Sequence, residues 1–337
     1  MKTPAFYILG LVALHSAFAD GLDHGTSQHQ ASDHAPIGVM GDHTHQKGDW
    51  MFSYRYMDMS MDGLSMGTND LSTSDVLNDF MMAPVNMGMK MHMFGMMYAP
   101  SDRVTLMAML NYLENDMLIQ TRMGDRFNTA SNGIGDSQLG LLIKLKSWKN
   151  NQLHTNIGLS IPTGSINPRD QTPMGANSLL PYAMRLGSGT YDLNLGLTWN
   201  QYNEAYSLGS QLMSTLRTGE NNQDYRLGHE NKLNFWAAKS LNNSWSLSAR
   251  LEAKNRQSIK ASDLRLMMSN MTPTANANFS GGNFLTTSIG VNYISNANNW
   301  TNGHRLAFEF NQPIIQDFDG IQMKTDNSIN LGWQKAF

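Results

Sequence analysis

The residues with the clearest capacity for chemistry in this sequence are methionine and histidine. The 337-residue chain contains 26 Met, 10 His and no Cys, and eighteen of the methionines lie between Met40 and Met123. A thioether sulfur is a soft ligand that suits Cu(I), and imidazole suits copper in either oxidation state. The lack of cysteine excludes disulfides, thiolate metal sites and cysteine nucleophiles. The composition therefore raises the possibility of a transition-metal site, with no certain cofactor and with Cu(I) or Cu(II) as the possible one.

Five of the ten histidines lie between the apolar start of the chain and its periodic part. They are His24, His29, His34, His43 and His45, set among Gly, Ser, Gln and Asp in residues 20–48. This segment has no apolar periodicity and cannot bury a core, so we predict a disordered, His-rich tail. Its imidazoles could capture Cu(II), Zn(II) or Ni(II). The alternative is that the tail is only a soluble leader.

The elements that must position the methionines show strand periodicity. From residue 49 to 337, apolar and polar residues alternate in twelve segments, as in Leu139, Leu141 and Ile143 against Gln138 and Gly140. Short turns alternate with long connections, which we place at residues 61–83, 116–135, 163–188, 218–229, 256–282 and 314–322. An even strand number with this alternation is typical of outer-membrane proteins. We therefore predict an all-β fold, an antiparallel transmembrane β-barrel of about twelve strands.

Aromatic residues agree with a barrel. Trp50, Trp148, Trp199 and Trp245 fall at the short-turn ends, where an aromatic girdle is expected. Phe337 resembles the C-terminal signal by which the outer-membrane assembly machinery recognises its clients. A soluble β-sandwich or a solenoid would show the same period of two. Six long loops on one side are rarely needed in a soluble fold, which favours the barrel.

The first residues have the order of an export signal. Lys2 is followed by an apolar stretch and by the small-x-small sequence that ends at Ala19, so we predict a signal peptide at residues 1–19. Nothing after residue 20 approaches the run of about 20 apolar residues that a membrane helix needs. The net charge of −3 gives no reason to expect nucleic acid. The expected location is the outer membrane of a Gram-negative bacterium, with membrane lipid and a small solute or metal ion as partners.

In a membrane barrel, polar side chains face the lumen and apolar side chains face lipid. This rule predicts the direction of each methionine. Met57, Met59, Met107 and Met109 alternate with aromatic and aliphatic residues and share their faces with polar ones, so we expect them in the lumen. On the strand between them, Asn86, Gly88, Lys90 and His92 form the polar set, which predicts Met87, Met89, Met91 and Met93 toward lipid. A Cu(I) site of Met57, Met59, His92, Met107 and Met109 follows. The alternative is that these methionines only pack the interior.

Several short motifs resemble a known family. Residues 133–136 (GIGD), 161–164 (IPTG) and 185–192 (RLGSGTYD) are similar to the outer-membrane family described as "Putative MetA-pathway of phenol degradation". Residues 36–43 and 91–93 resemble a Met/His-rich branch of it. The resemblance covers roughly residues 50–337 and implies a barrel for small, including aromatic, compounds.

Three functions remain open at this point. The first is a channel or transporter for small solutes that handles transition metals, copper foremost. The second is a channel for hydrophobic or aromatic compounds, and the third is a surface protein that sequesters metal without transport. We expect no enzyme, since none of the barrel histidines His92, His154, His229 and His304 forms a His-x-Ser pair.

Overall fold

The computed structural model describes residues 30–266, 271–297 and 300–337. The predicted signal peptide, and the predicted tail as far as residue 29 with His24 and His29, lie outside these residues. Among the described residues, no helix is long and apolar enough to cross a lipid bilayer.

The described chain is dominated by long antiparallel strands. They are β1 (Trp50–Gly67), β2 (Asn69–Leu71), β3 (Met82–Ser101), β4 (Val104–Thr121), β5 (Arg126–Ile134), β6 (Ser137–Trp148), β7 (Asn151–Ile161), β8 (Arg169–Thr172), β9 (Gly175–Leu179), β10 (Asp192–Tyr202), β11 (Tyr206–Arg217), β12 (Glu230–Ser240), β13 (Trp245–Arg256), β14 (Gly282–Ile294) and β15 (His304–Ala336). One helix, α1 (Thr73–Asp79), and short 3-10 turns at Ala31–Asp33, Tyr182–Met184, Leu264–Leu266 and Pro273–Ala275 lie between them.

The sheet closes on itself. Its order is β15-β14-β13-β12-β11-β10-β7-β6-β4-β3-β1, and β1 pairs with β15 to complete the ring. The small strand β2 pairs with the outer part of β1, and β5 continues the line of β6 beside β4, while β8 and β9 form a separate hairpin. Closure removes every free sheet edge, which a strand protein in lipid requires.

The last strand, β15, is long enough to occupy two neighbouring positions in the ring. Its first half pairs antiparallel with β14, up to Phe318, and its second half pairs antiparallel with β1 from Phe318 to Ala336. Neighbours around a closed ring can all be antiparallel only if the number of strands is even, so eleven assigned strands require a twelfth. Side chains join the two halves of β15, as in Arg305 to Gln334 and Asn311 to Ser328. The predicted barrel of about twelve strands is confirmed.

The outer surface carries the apolar half of each alternation. Leu110, Leu212 and Leu247 are examples of large aliphatic side chains that are half exposed on the strands. Trp50 and Trp245 begin strands at the short-turn end, and Trp148 and Trp199 lie near the ends of β6 and β10. The aromatic residues therefore occupy the rim that the sequence predicts.

Some predicted loops are strands. β1, β3, β4 and β5 extend through much of residues 61–83 and 116–135, and β15 runs through residues 314–322. β3 has 20 residues, about twice the 9–11 that a tilted strand needs to cross a bilayer. These hairpins therefore project beyond the lipid on the long-loop side, where their polar outward residues meet water.

Candidate functional site in the barrel lumen

Residues 30–48 fold into the lumen from the short-turn end; we call them the inserted segment. Gly38 donates its backbone N–H to Glu309 Oε2 at 2.7 Å, and Arg305 donates to the carbonyl of Ala35 at 2.6 Å. On the other side of the barrel, Asn156 Nδ2 donates to the carbonyl of Gly41 at 3.1 Å. The segment is thus anchored to opposite walls.

Further wall side chains satisfy the backbone of the inserted segment around the ring. Asn200 Nδ2 donates to the carbonyl of Asp42 at 2.6 Å, Gln211 Nε2 donates to Met40 at 2.9 Å, and His45 donates its backbone N–H to Thr105 Oγ1 at 3.0 Å. These partners lie on β4, β10 and β11. Each such bond contributes on the order of 1 kcal/mol, so the segment closes the short-turn end of the lumen as an ordered plug.

This order differs from the predicted flexible tail at residues 30–48. The segment has no apolar period, but Ala35, Ile37 and Val39 are buried, and its backbone is paired with polar wall side chains. The wall supplies the partners that local sequence lacks. Period-based interpretation cannot detect such a segment, because its folding depends on residues that are more than a hundred positions away.

Glycines give the plug its close fit. A Cβ at Gly38 would lie 2.7 Å from Arg250 Nη2 and 2.9 Å from Glu309 Oε1, and one at Gly332 would lie 2.4 Å from Ile37 Cγ1. Gly41 has φ of +61°, a left-handed conformation that favours glycine. Plug and wall therefore interlock without room for a further methyl group.

A buried ion pair fixes the position of Glu309, which accepts the backbone N–H of Gly38. Arg250 donates through Nε to Glu309 Oε1 at 2.9 Å, and its Nη1 donates to Asn234 at 3.0 Å and to Glu252 at 2.8 Å. The Glu309 side chain is fully buried. Because Glu309 accepts from both the wall and the plug, it connects the charge network of β12, β13 and β15 to the inserted segment.

These anchors were not among the residues that sequence reasoning singled out. Arg250, Arg305 and Glu309 occupy the small or polar face of strands whose other face is aliphatic. A charged residue on the polar face of such a strand, close to a short turn, predicts an ion pair or hydrogen bond in the lumen. The partners themselves, which join β13 to β15 and β15 to the plug, are set by barrel closure and cannot be read from spacing.

Methionines line one side of the lumen on β1, β3 and β4; we call this set the methionine track. Directly paired residues point to the same face, and Met51 lies opposite Met97, which lies opposite Met107. Met51 and Met97 are buried with Leu142 beside the plug. The track consists of Met51, Met57, Met59 and Met61 on β1, Met87, Met89, Met91, Met93 and Met97 on β3, and Met107, Met109 and Met117 on β4. The track extends from the plug to the opposite, long-loop end of the barrel, which we call the outer end.

The structure places the predicted luminal methionines as expected. Met57 and Met59 lie on the inner face of β1, with Met59 Sδ 4.0 Å from Thr325 Oγ1, and Met107 and Met109 lie on the inner face of β4. A cavity of about 20 Å³ separates this wall from the plug, which is room for about one water-sized sphere. Its lining comprises Gly41, Asp42, Ser53, Arg55, Gly95, Met51, Met96, Met97, Met107 and Met109.

The prediction for the middle strand is wrong. Met87, Met89, Met91 and Met93 pair with luminal residues of β1 and β4 and therefore face the lumen, not lipid. His92 faces outward, where its Nδ1 lies 2.8 Å from the Tyr54 hydroxyl, so it is not part of a luminal copper site. The polar set of β3 lies at the outer rim of the lipid band, where outward groups meet water. The polar-inward rule holds only within the bilayer.

The plug brings together some of the tail histidines that the sequence predicts as metal ligands. His34, Asp42 and His43 offer ligand atoms that all lie within 4.8 Å of one another. The His34 and His43 rings are 4.8 Å apart between centroids, and the His43 and His45 rings 4.9 Å apart. Asp42 was not predicted as a ligand. It is recognisable only once the loop from Ala35 to Gly41 folds back.

An apolar cluster closes the outer end. Side chains of the projecting strands, α1 and the β7–β10 connection pack together there, and the last of these contributes Leu180 and Met184. The buried members are Leu64, Val76, Phe80, Ala83, Met87, Met117, Ile119, Leu180, Met184 and Met323. The methionine track therefore ends beneath a lid of folded loops.

A charged pair ties those loops to each other. Arg185 of the β7–β10 connection donates to Asp263 of the β13–β14 connection at 2.7 Å and to the Tyr225 hydroxyl at 2.6 Å. Its guanidinium also lies 4.7 Å from the Tyr182 ring centroid. Burial acts to raise the pKa of Asp263, but hydrogen bonds from Arg265 and Arg185 hold that pKa at about 2.

The lumen can therefore hold a small solute only between two closures. The plug is attached by polar bonds, and the outer lid by apolar packing and one charged cluster. Thioethers recur along the wall of β1 and β3, interrupted by Ser53, Arg55 and Gly95. The wall of β10 to β13 is polar, with Asn200, Gln211 and Asn234 buried along it.

The chain is similar to a known family and to solved structures of outer-membrane proteins. The family described as "Putative MetA-pathway of phenol degradation" matches residues 97–310. The COG4313 outer membrane channel from Pseudomonas putida F1 superposes with a TM-score of 0.60 at 14% identity, covering 88% of this chain and 98% of that chain. The translocator domain of autotransporter NalP from Neisseria meningitidis gives 0.45 at 9% identity, covering 88% and 91%. No curated protein matches.

Proposed function

This chain belongs to the "Putative MetA-pathway of phenol degradation" family, and from that premise we propose that it is an outer-membrane channel whose cargo is a soft metal ion, Cu(I) foremost. The observation that carries the proposal is the methionine track. Twelve thioethers on three adjacent strands connect the plug with the outer lid. Thioether sulfur favours Cu(I) over hard ions, and weak, repeated sites allow an ion to enter and to leave.

The channel part of the proposal is supported by the closed twelve-strand ring and by the structural similarity to the P. putida F1 outer membrane channel. We place the protein in the outer membrane of a Gram-negative bacterium, with lipid as the partner of its apolar band. Phe337 pairs its backbone with Trp50 at the short-turn rim, a position open to the outer-membrane assembly machinery. We propose no enzymatic activity and no nucleic-acid partner.

The test is a Cu(I) competition titration of the full mature chain in detergent under reducing conditions. A chromophoric Cu(I) chelator reports how much metal the protein removes. The variant Met57→Leu/Met59→Leu/Met107→Leu/Met109→Leu is compared with Met66→Leu/Met81→Leu/Met123→Leu/Met174→Leu, whose methionines are exposed and lie outside the cavity beside the plug. Leucine nearly conserves the volume of methionine, so both variants are expected to fold.

The proposal predicts that wild type and the exposed-methionine variant withdraw Cu(I) from the chelator and that the luminal variant withdraws clearly less. Equal withdrawal by both variants, or none by wild type, would overturn the metal cargo. Binding that is lost in the luminal variant without any transport would instead support sequestration of metal at a closed barrel.

A small apolar or aromatic solute is the second candidate, favoured by the apolar cluster at the outer end. The description of the family, which mentions phenol degradation, points the same way. Under this alternative the thioethers act as flexible packing. Phenol permeation into proteoliposomes would then be equal in wild type and in the luminal Met→Leu variant, and Cu(I) would not be bound.

A further inference from the structure

The inserted segment contains a cluster that neither the methionine track nor the barrel wall explains. His34, Asp42 and His43 place three potential ligand atoms within 4.8 Å of one another, and the His45 ring contacts the His43 ring. All four residues belong to one loop of the plug. From this geometry we propose a divalent transition-metal site at His34, Asp42 and His43, with His45 beside it, which clamps the plug in its luminal fold.

The side chains are oriented as ligands of such a site would be. Asp42 Oδ2 accepts the backbone N–H of Ala35 at 3.0 Å, while Oδ1 lies 3.0 Å from His43 Nδ1. A carboxylate held by an outer hydrogen bond is the usual support of a metal ligand. The Nε2 atom of His43 is buried and has no hydrogen-bond partner among the described residues, a costly arrangement for a polar atom.

The donor set selects the class of ion. Imidazole nitrogen with one carboxylate oxygen suits Zn(II), Cu(II), Ni(II) and Co(II) and lacks the oxygens that Ca²⁺ or Mg²⁺ needs. Ligands of one tetrahedral ion lie about 3–3.5 Å apart given metal–ligand distances near 2.0–2.2 Å. Small side-chain rotations would bring the present cluster to that spacing.

The position of the ligands implies a consequence for the channel. His34 and His43 flank the turn that contains Gly38 and Gly41, the residues that anchor the plug to Glu309, His154 and Asn156. An ion that joins the two ends of this turn stabilises only the folded plug. By linkage, metal raises the free energy needed to release the plug by RT ln(1 + [M]/Kd).

The experiment uses the full mature chain, without a polyhistidine tag, in a His24→Gln/His29→Gln background that removes the remaining tail imidazoles. Zn(II) binding is measured by competition with a chromophoric chelator, and Co(II) absorption reports the ligand set. The test variant is His34→Gln/His43→Gln. The matched control is His92→Gln/His229→Gln, which removes two imidazoles outside the plug. Plug release is followed by proteolysis at residues 30–48 and by conductance in planar bilayers.

The proposal predicts one Zn(II) per chain, a nitrogen- and oxygen-ligated Co(II) spectrum, and lower proteolysis and conductance when Zn(II) is added. All four effects persist in the control and are lost in His34→Gln/His43→Gln, with affinity reduced by at least the roughly 10- to 100-fold that loss of an outer-shell partner costs. Asp42→Asn, which conserves shape, should reduce affinity in the same direction.

Equal Zn(II) affinity in test and control variants would overturn the site, and binding without protection of the plug would overturn the clamp. Heat-induced mobility shifts on gels check that each variant is a folded barrel. The inference is independent of the Cu(I) cargo, because the Zn(II) measurements involve no methionine. A failure here leaves the Cu(I) titration unaffected, and the reverse holds.

Discussion

At the scale of single residues, the orientation of a side chain was predictable where one face of its strand was clearly polar. Met57, Met59, Met107 and Met109 share faces with Ser53, Thr105 and similar residues, and they lie in the lumen. His92 was misassigned because both faces of β3 are mixed. Its true face follows from register with β1, where it pairs with Tyr56, and sequence spacing alone does not set register.

Substitution of Gly38 should open the short-turn closure. In Gly38→Val the new side chain meets Arg250 and Glu309, since a Cβ alone would lie 2.7 Å and 2.9 Å from their nearest atoms. We expect the plug to leave its anchor and single-channel conductance to rise severalfold. Gly88→Val is the control because nothing lies within 4 Å of a Cβ there. Unchanged conductance in Gly38→Val would show that the plug is not the barrier.

Substitution of Glu309 should lower stability and loosen the plug together. Glu309→Gln keeps the shape but removes the charge that Arg250 and the Gly38 N–H face at buried positions. Loss of a charged hydrogen-bond partner should reduce the free energy of unfolding by about 1.5–3 kcal/mol. Urea unfolding of the refolded barrel measures it. Glu204→Gln, in an exposed short turn, serves as the reference, and an equal effect in both variants would contradict the role of Glu309.

At the scale of elements, strands and short turns were predictable and ordered non-periodic segments were not. The alternation of residues specifies each wall strand, because one face meets lipid and the other the lumen. The inserted segment and the outer lid have no period, and their order comes from wall side chains such as Asn200 and Gln211. Strand ends were also missed on the long-loop side, where β1, β3 and β4 continue past the bilayer.

The outer loops should loosen in acid. The pKa of Asp263 is about 2 in the folded chain, below the usual value near 3.9. A carboxylate whose pKa is lower in the folded chain than in the unfolded chain stabilises the fold when it is ionised. The contribution of Asp263 is therefore complete above about pH 4 and is lost as the pH falls through about 2. Hydrogen exchange of residues 180–188 and 257–266 should increase across that window.

The Asp263→Asn variant provides the comparison for the acid experiment. It should show fast exchange in these loops already at neutral pH and no further step between pH 4 and pH 2. Asp125→Asn, in an exposed hairpin, should behave as wild type. Persistence of the full acid step in Asp263→Asn would assign the transition to another group.

At the scale of the whole molecule, a closed ring is combined with closures at both ends. Period two, even strand number and alternating loop length were sufficient to predict the barrel, because closure in lipid leaves few alternatives. The methionine track was only partly predictable, because its central strand was assigned the opposite face. The contents of the lumen depend on contacts between distant residues, such as Gly38 with Glu309 and Asp42 with the wall cavity.

Cu(I) flux into proteoliposomes that contain an impermeant Cu(I) chelator tests the central claim most directly. Wild type and the Met66→Leu/Met81→Leu/Met123→Leu/Met174→Leu variant should give equal rates, and the Met57→Leu/Met59→Leu/Met107→Leu/Met109→Leu variant should be several times slower. A heat-induced mobility shift on gels checks that each protein in the vesicles is a folded barrel. Cu(I) entry that is equal in all three proteins, or absent in wild type, would contradict a methionine-lined metal channel.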